Sequence, residues 1–416
     1  MTKNKTSKHQ IGRRKFLQLS AVYGATSVMG AMSLIAFAGE KATPELLEEQ
    51  AKRLAGEKAG SRKKAEVIIR MGVSGDSPSV QERGFPTGYW EFARDLEERT
   101  DGRIQVQVSG GNATCTEITC AQRFATGALP AFGSSSQNAA LTYPFLSAVD
   151  FPFQFPNRAS MYHFLYSKKG DSLYRNVLRE KFDYEFLWAL PEGRAIFLGN
   201  GWKDRPNARV PDDLRNAKIR VTASPMGRIA LDLAGANPIP LDWAETYQGL
   251  NSGLIDGMEN FASAAPAFGM TTALSQMINL ELFSGFEHAA IKRSFLDKLP
   301  DDLREAVMES AFHTQQWVQR THDRALTETV GLMDPPPEGT IFHEDEVRVN
   351  ILTDAEKQEW VDRCSPETHP AAYEEQRERI ASIADGVDVY REIYDLAREI
   401  PKDLAAIDVV PQRWWK

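Results

Sequence analysis

The 416-residue chain is poor in the residues that build metal and redox centres, with three cysteines and seven histidines. The histidines are scattered without ligand spacing. The chain contains no His-Glu-x-x-His, no Gly-x-Ser-x-Gly and no Gly-x-Gly-x-x-Gly after a strand. These absences argue against a zinc protease, a serine hydrolase and a dinucleotide-binding domain. No catalytic residue, metal site or cofactor is therefore assigned. Excess positive charge is also lacking. Lys and Arg number 49 against 57 Asp and Glu, a net charge of −8. That balance argues against nucleic acid, or an anionic membrane surface, as the main partner. Neither an internal repeat nor a low-complexity tract interrupts the chain. Beyond the first forty residues no apolar run is long enough to cross a bilayer.

What is present, 42% hydrophobic and 25% charged residues, fits a globular protein of roughly two or three domains. The first 38 residues read as a targeting segment. Gly12-Arg13-Arg14-Lys15-Phe16-Leu17 is a twin-arginine signature behind a basic stretch, and Leu19 to Ala38 is apolar with many small residues. Ala36-Phe37-Ala38 is an A-x-A cleavage site. The expected outcome is export of a folded chain to a bacterial periplasm with cleavage after Ala38, in preference to an uncleaved anchor. Residues 39–64, rich in Glu, Lys and Ala, read as a charged helical tether. In an oxidising compartment Cys115 and Cys120 either close a small local disulfide or stay as two thiols. A C-x₄-C pair with no histidine nearby is not a metal site. Cys364 reads as a buried or partly buried thiol.

The globular part opens with a strand over 65–73. An amphipathic helix follows over Tyr89 to Arg99, offering Trp90, Phe92, Ala93 and Leu96 to a core. Asp101-Gly102 turns the chain into an alternating strand over 103–108. The densest stretch is Lys218 to Asn260. Its pattern is a strand through Arg220, a helix over Pro225 to Leu233, a break at Gly235 to Pro240, and a helix from Glu245 to Gly253. Such a βαβα unit belongs to an open α/β sheet, which holds ligands at the carboxyl ends of its strands.

This stretch resembles the core of the substrate-binding proteins of TRAP transporters, the DctP family. The matching residues are Arg220, Gly235-Ala236-Asn237-Pro238, Glu245, Tyr247, Leu250, Gly253, Asp256-Gly257 and Glu259-Asn260. The resemblance implies an α/β, two-domain periplasmic-binding-protein (Venus flytrap) fold, with a ligand cleft between domains and a long domain-spanning helix. Residues 65–198 plus 286–319 would form the first domain. Residues 199–285 plus 320–416 would form the second, with a C-terminal helical extension. The implied function is capture of a small organic acid and its delivery to the membrane subunits of a TRAP permease. The alternatives are a ligand-sensing periplasmic receptor and a twin-arginine-exported enzyme.

Seven residues are candidate ligand contacts by this resemblance. Arg220 offers a planar fork that matches a carboxylate bidentately. Asn260 brings an amide, and Trp243 a wall or stacking face. Ser135 and Asn138 precede the Phe151-Pro152-Phe153 segment, where family side chains reach the ligand. Lys203 and Trp202 stand where relatives place a cation or aromatic. No acid or arginine stands beside Ser135 and Asn138, which argues against a highly polar sugar acid. Phe151, Phe153 and Phe155 read as core, and so does His163. Phe186 to Asn200 is expected to be a strand–turn–strand crossing between domains, and 288–291 a returning strand. A helix from Leu299 to about Met333, on the order of 50 Å long, should end at Pro335-Pro336-Pro337. Two further helical stretches are expected over 344–360 and 369–404. Trp414-Trp415 is read as an extra cap or an oligomer contact, which leaves a monomer or a dimer through the C-terminal helices.

Overall fold

The computed structural model describes Leu19, Thr43, Pro44, residues 46–49, Lys52 and residues 65–416. The twin-arginine motif and the Ala36-Phe37-Ala38 site lie outside the described residues. Among the described residues no helix is long and apolar enough to cross a membrane. The chain divides into two compact units, residues 1–67 with 100–105, and residues 68–99 with 106–416. In the first, Pro44, residues 46–49 and Lys52 are helical. There Arg103 pairs with Glu66 at 2.8 Å. The second unit carries all that follows, apart from Val67 and residues 104–105.

Its elements in order are β1 (Val67–Val73), α1 (Tyr89–Arg99), β2 (Ile104–Ser109), α2 (Glu117–Ala125), β3 (Ala131–Ser135) and β4 (Tyr184–Gly199). Next come β5 (Lys218–Val221), α3 (Pro225–Leu233), β6 (Asn237–Pro240), α4 (Trp243–Ser252) and β7 (Gly257–Phe261). The chain ends with β8 (Leu274–Asn279), β9 (Ser284–Lys292), α5 (Asp301–Arg324), β10 (Arg348–Ile351), α6 (Asp354–Cys364), α7 (Pro370–Ile383) and α8 (Val389–Leu396). Strands run side by side in the order β1-β3-β9-β4-β7-β5-β6, while β8 lies on β4 and carries β10. β5 is parallel to β6 and β7, as a βαβα unit requires.

The strand–turn–strand expected over 186–200 is instead one 16-residue strand, buried along its whole length. Tyr184 to Gly193 pairs with β9, and Arg194 to Leu198 pairs with β7. The turn-like residues Pro191 and Gly193 mark the change of partner rather than a reversal. Proline removes one ladder donor but tolerates an extended backbone. β4 therefore runs through two halves of the molecule, each with its own helices.

The long helix does span both. Gln315 of α5 clasps the Ala189 backbone on both sides, at 2.7 and 2.9 Å. Further along, Leu326 and Val330 enter a core with Ala195, Phe197, Met258 and Phe342. The 24 residues of α5 give about 36 Å of regular helix. The chain then widens into a π-type turn over Ala325–Val330 and stops at Gly331, with φ 87°. This end comes before the three prolines that were expected to set it.

The stretch expected as one helix over 344–360 holds β10 and only then α6, because Arg348 to Ile351 pairs with β8. The stretch over 369–404 is two helices, α7 and α8, separated near Gly386. Cys115 and Cys120 form a disulfide, and Cys364 is a buried thiol. Phe151 is buried against Tyr390 and Tyr373, and Phe155 is buried too. Phe153 is only partly buried. His163 is half-buried beside Glu399 rather than in the core. Trp414 is buried, with the Arg175 guanidinium 4.1 Å from its ring, and both terminal tryptophans pack on Phe312. The C-terminal segment thus caps its own chain.

Candidate functional site

A cavity of about 40 Å³, or about 440 Å³ with the open space at its mouth, opens where the two halves of the sheet meet along β4. One half contributes Ser74, Asp76, Phe85, Glu117, Ser135, Asn138 and Glu287. The other contributes Arg194, Arg220, Thr222, Trp243, Asn260, Phe261, Ala264 and Phe268. Five of the seven candidates from sequence line it, namely Arg220, Asn260, Trp243, Ser135 and Asn138. The other two do not. Trp202 is 8% exposed and packs in an apolar core with Leu214 and Ile219. Lys203 is exposed and ion-pairs Glu346 at 2.9 Å. Their place just after β4 puts them at the far end of that strand, away from the change of partner.

Arg220 stands in β5 and is 2% exposed. Its Nε donates to the Leu241 carbonyl at 3.0 Å. Its terminal nitrogens have no hydrogen bond or ion pair among the described residues. Burial lowers its pKa to about 10, against the opposing pull of Glu259, so the group stays cationic at neutral pH. Glu259 is the nearest candidate partner, yet both of its oxygens are taken. One accepts the Thr222 amide at 2.7 Å and the other the Arg194 Nε. The Trp243 ring lies 5.8 Å from the Arg220 guanidinium. Trp243 opens α4, whose first turn is capped by Asp242, accepting the Ala244 amide at 2.9 Å.

Two more polar atoms at the cavity, Asn260 Nδ2 and Thr222 Oγ1, are buried without partners among the described residues. Asn260 uses its Oδ1 to accept the Phe261 amide at 2.8 Å, which leaves the amide nitrogen without an acceptor among the described residues. A buried donor with no acceptor costs about 1–3 kcal/mol. A charged arginine and two orphaned polar atoms around one cavity mark a place built for a polar guest. Phe85, Phe261 and Phe268 supply an apolar wall, with Trp243 edge-on to Phe268 at 5.4 Å.

Ser135 and Asn138 are held differently from the expectation. Both donate to Glu117 Oε2, at 3.2 and 3.3 Å. Ser134 Oγ and the Ser135 amide donate to the same oxygen. Ser74 bonds the other oxygen. Glu117 is thus an acid at the place where the sequence showed none, delivered by the first turn of α2. Arg194 likewise brings a second arginine. The argument against a polar sugar acid loses its premise.

Sequence reasoning also passed over Asp76, Glu287, Thr222, Ser74 and the three phenylalanines. A signal existed for two of the missed charges. Arg194 and Glu287 are charges within buried, mostly apolar strands, which is unusual for residues destined for a purely structural core. Glu287 accepts the Tyr89 hydroxyl at 2.6 Å. Burial, and then Glu117, push its pKa well above the ordinary carboxylate range. Asp76 is raised to about 7 by burial, against hydrogen bonds from Thr87 and the Ser77 amide.

The family model for bacterial extracellular solute-binding protein, family 7 (DctP), matches residues 87–375. The chain belongs to the DctP family. A related DctP-type protein, the 2,3-diketo-L-gulonate-binding periplasmic protein of Escherichia coli strain K12, is 27% identical over 231 residues. That match covers 52% of this chain and 64% of the relative, so this chain spans less than two thirds of the relative's length. Among solved structures, a TRAP periplasmic solute-binding protein from Desulfovibrio salexigens with bound orotic acid superposes with a TM-score of 0.66 at 18% identity. It covers 79% of this chain and 99% of that one. The sugar acid binding protein of Advenella mimigardefordensis, solved with galactonate, gives 0.65 at 19% identity over 80% and 98% of the two chains. The fold of this DctP chain is therefore the two-lobed α/β fold of TRAP periplasmic binding proteins.

Proposed function

We propose that this protein is a periplasmic receptor that captures a small organic acid by its carboxylate and delivers it to a TRAP permease. The observation that carries this reading is Arg220, a buried cation whose terminal nitrogens have no partner among the described residues. A carboxylate there satisfies the guanidinium fork, while Asn260 Nδ2 and Thr222 Oγ1 lie on the same cavity to receive its oxygens. Trp243 and the phenylalanines cover the ligand body and exclude water, which strengthens the charge pair. The relatives named above bind diketogulonate, orotic acid and galactonate, all of them acids. Export by the twin-arginine route, with cleavage after Ala38, accompanies this proposal. The family and the relatives named above are solute-binding proteins, and this supports the receptor reading over the enzyme one.

The test is a thermal-shift screen of organic acids, since a ligand that binds only the folded state raises the midpoint. Calorimetric titration of the best acid follows, on wild type, Arg220→Lys and Arg220→Ala. Arg220→Ala should weaken binding by about 2–5 kcal/mol, and Arg220→Lys should weaken it clearly because it keeps the charge and loses the fork. Wild-type affinity in Arg220→Ala with an unchanged melting curve would end the proposal.

A further inference from the structure

The cavity is bipolar. Its acids, Asp76, Glu117 and Glu287, all come from the half that holds β1, β3 and β9. Its arginines, Arg194 and Arg220, stand on β4 past the change of partner and on β5. The two arginines are not equivalent. Arg194 is spent on Glu259, and the Phe261 ring covers it at 4.5 Å. One cation is left for a ligand. The acids are not equivalent either. Glu117 is saturated by Ser74, Ser134, Ser135 and Asn138. Asp76 holds the Ser77 amide at 2.7 Å with one oxygen and Thr87 with the other. Glu287 binds Tyr89 through Oε1 alone, and its Oε2 has no hydrogen bond among the described residues. Glu287 is 7% exposed and is held in place by the buried Tyr89. A free acceptor is therefore fixed in the wall of a cavity that also holds a free cation and two orphaned polar atoms, Asn260 Nδ2 and Thr222 Oγ1.

We propose that the ligand is a monocarboxylic acid whose second end carries N–H or O–H donors (hydroxyl, amide or ammonium), and that Glu287 selects it over dicarboxylates. This rests on the reading of Arg220 as the carboxylate anchor. A dicarboxylate needs a second cation, and the other arginine lining the cavity among the described residues is already paired with Glu259. Its second carboxylate would also lose its hydration beside Glu117 and Glu287, with no second free cation among the described residues to replace it. A hydroxyl, amide or ammonium instead meets the open oxygen of Glu287. The groups facing Glu287 are Glu117, Asp76, Tyr89 and Arg194. Three of the four are acidic or phenolic and, with burial, press Glu287 toward its neutral form; a donor arriving at the open oxygen stabilises the ionised form against them.

The experiment uses the purified full-length protein and a panel of dicarboxylates paired with monocarboxylates of equal carbon count ending in hydroxyl, amide or ammonium. Calorimetry ranks each pair. The expected result is a best ligand with a donor end, binding about tenfold or more tighter than its dicarboxylate counterpart. Glu287→Gln turns the open acceptor toward an amide, and should shrink that preference about tenfold without lowering dicarboxylate affinity. A dicarboxylate as the best ligand overturns the proposal, and this ranking needs no variant to fold. An unchanged preference in a folded Glu287→Gln protein overturns it as well. If Arg220→Ala abolishes binding in that same set, the carboxylate reading survives the loss. If no acid of either kind binds, both readings fall together.

Discussion

Asp150 is a fully buried carboxyl that the ligand cavity does not use. Gln137 Nε2 donates to it at 2.7 Å. Burial, only partly offset by the Ser224 hydrogen bond and Arg194, raises its pKa from 3.8 to about 8. A carboxyl with a raised folded pKa stabilises fully below its unfolded pKa, and that contribution is lost as pH climbs through the folded value. The window is therefore about pH 4 to 8. His288, lowered to about 4 by burial, acts in the opposite sense up to its unfolded value. The comparison must then be variant against wild type. Asp150→Asn should lose less stability than wild type between pH 5 and 8, by roughly 3–4 kcal/mol, in urea unfolding at both pH values. Equal losses in the two proteins would show that Asp150 is not the titrating group. Gly133 makes a second residue-scale case. A Cβ there would stand 2.3 Å from the Tyr89 ring. Gly133→Ala should cost about 1–3 kcal/mol by overpacking, and should also displace the hydroxyl that holds Glu287. Both effects are readable, by urea unfolding and by ligand titration.

The elements that matter most are β4 and α5, and buried polar groups lock them together. His322 of α5 lies 2.8 Å from Glu192 of β4, and Glu192 also accepts the Ser263 amide at 2.9 Å. Burial pushes the Glu192 carboxyl up, but the hydrogen bond and charge of His322, with the Ser263 contacts, hold it below the ordinary range. Removing one partner leaves a buried charge exposed to an apolar surround. His322→Ala should therefore destabilise by about 3–5 kcal/mol. The exposed pair Arg324–Glu328 two residues further on makes the contrast, and Arg324→Ala should unfold at the wild-type urea midpoint. If the two variants unfold alike, the buried pair does not lock the helix to the strand. The same pair of elements explains why α5 must be long. It touches Ala189 on one side of the partner change, and the turn that continues it carries Leu326 and Val330 into the Phe197–Phe342 core on the other.

At the scale of the whole molecule, a sheet that changes partners at Gly193 and Arg194 has a natural place to bend. We propose that the two halves of the sheet, one holding β3 and β9 and the other β5, β6 and β7, close on the ligand about that junction. Closure would bring Arg220 and Glu287 onto one guest and present a new face to a permease. Small-angle scattering should give a smaller radius of gyration with a verified acid than without it. Hydrogen exchange at the backbone around 192–195 should slow in the same comparison. A radius unchanged at saturating ligand would mean that the cavity fills without lobe closure.

The sequence by itself determined the α/β class, the strand carrying Arg220, the helix over Pro225 to Leu233 and the helix stop at Gly253, whose φ is 73°. These are local matters, set by hydrophobic period, by proline and by the one residue that tolerates positive φ. It also placed Arg220, Trp243 and Asn260 together, because one βαβα unit carries all three. The tertiary structure decided what chain distance hides. Pro191 and Gly193 look like a turn and become a junction, since β9 and β7 are there to pair on either side. Trp202 and Lys203 sit just past β4 and still miss the cavity. Glu117 and Glu287 are 170 residues apart and line it together. Which charges remain free is decided last of all, because Arg194 and Arg220 are the same residue type. Only the position of Glu259 neutralises one of them and leaves the other for a ligand.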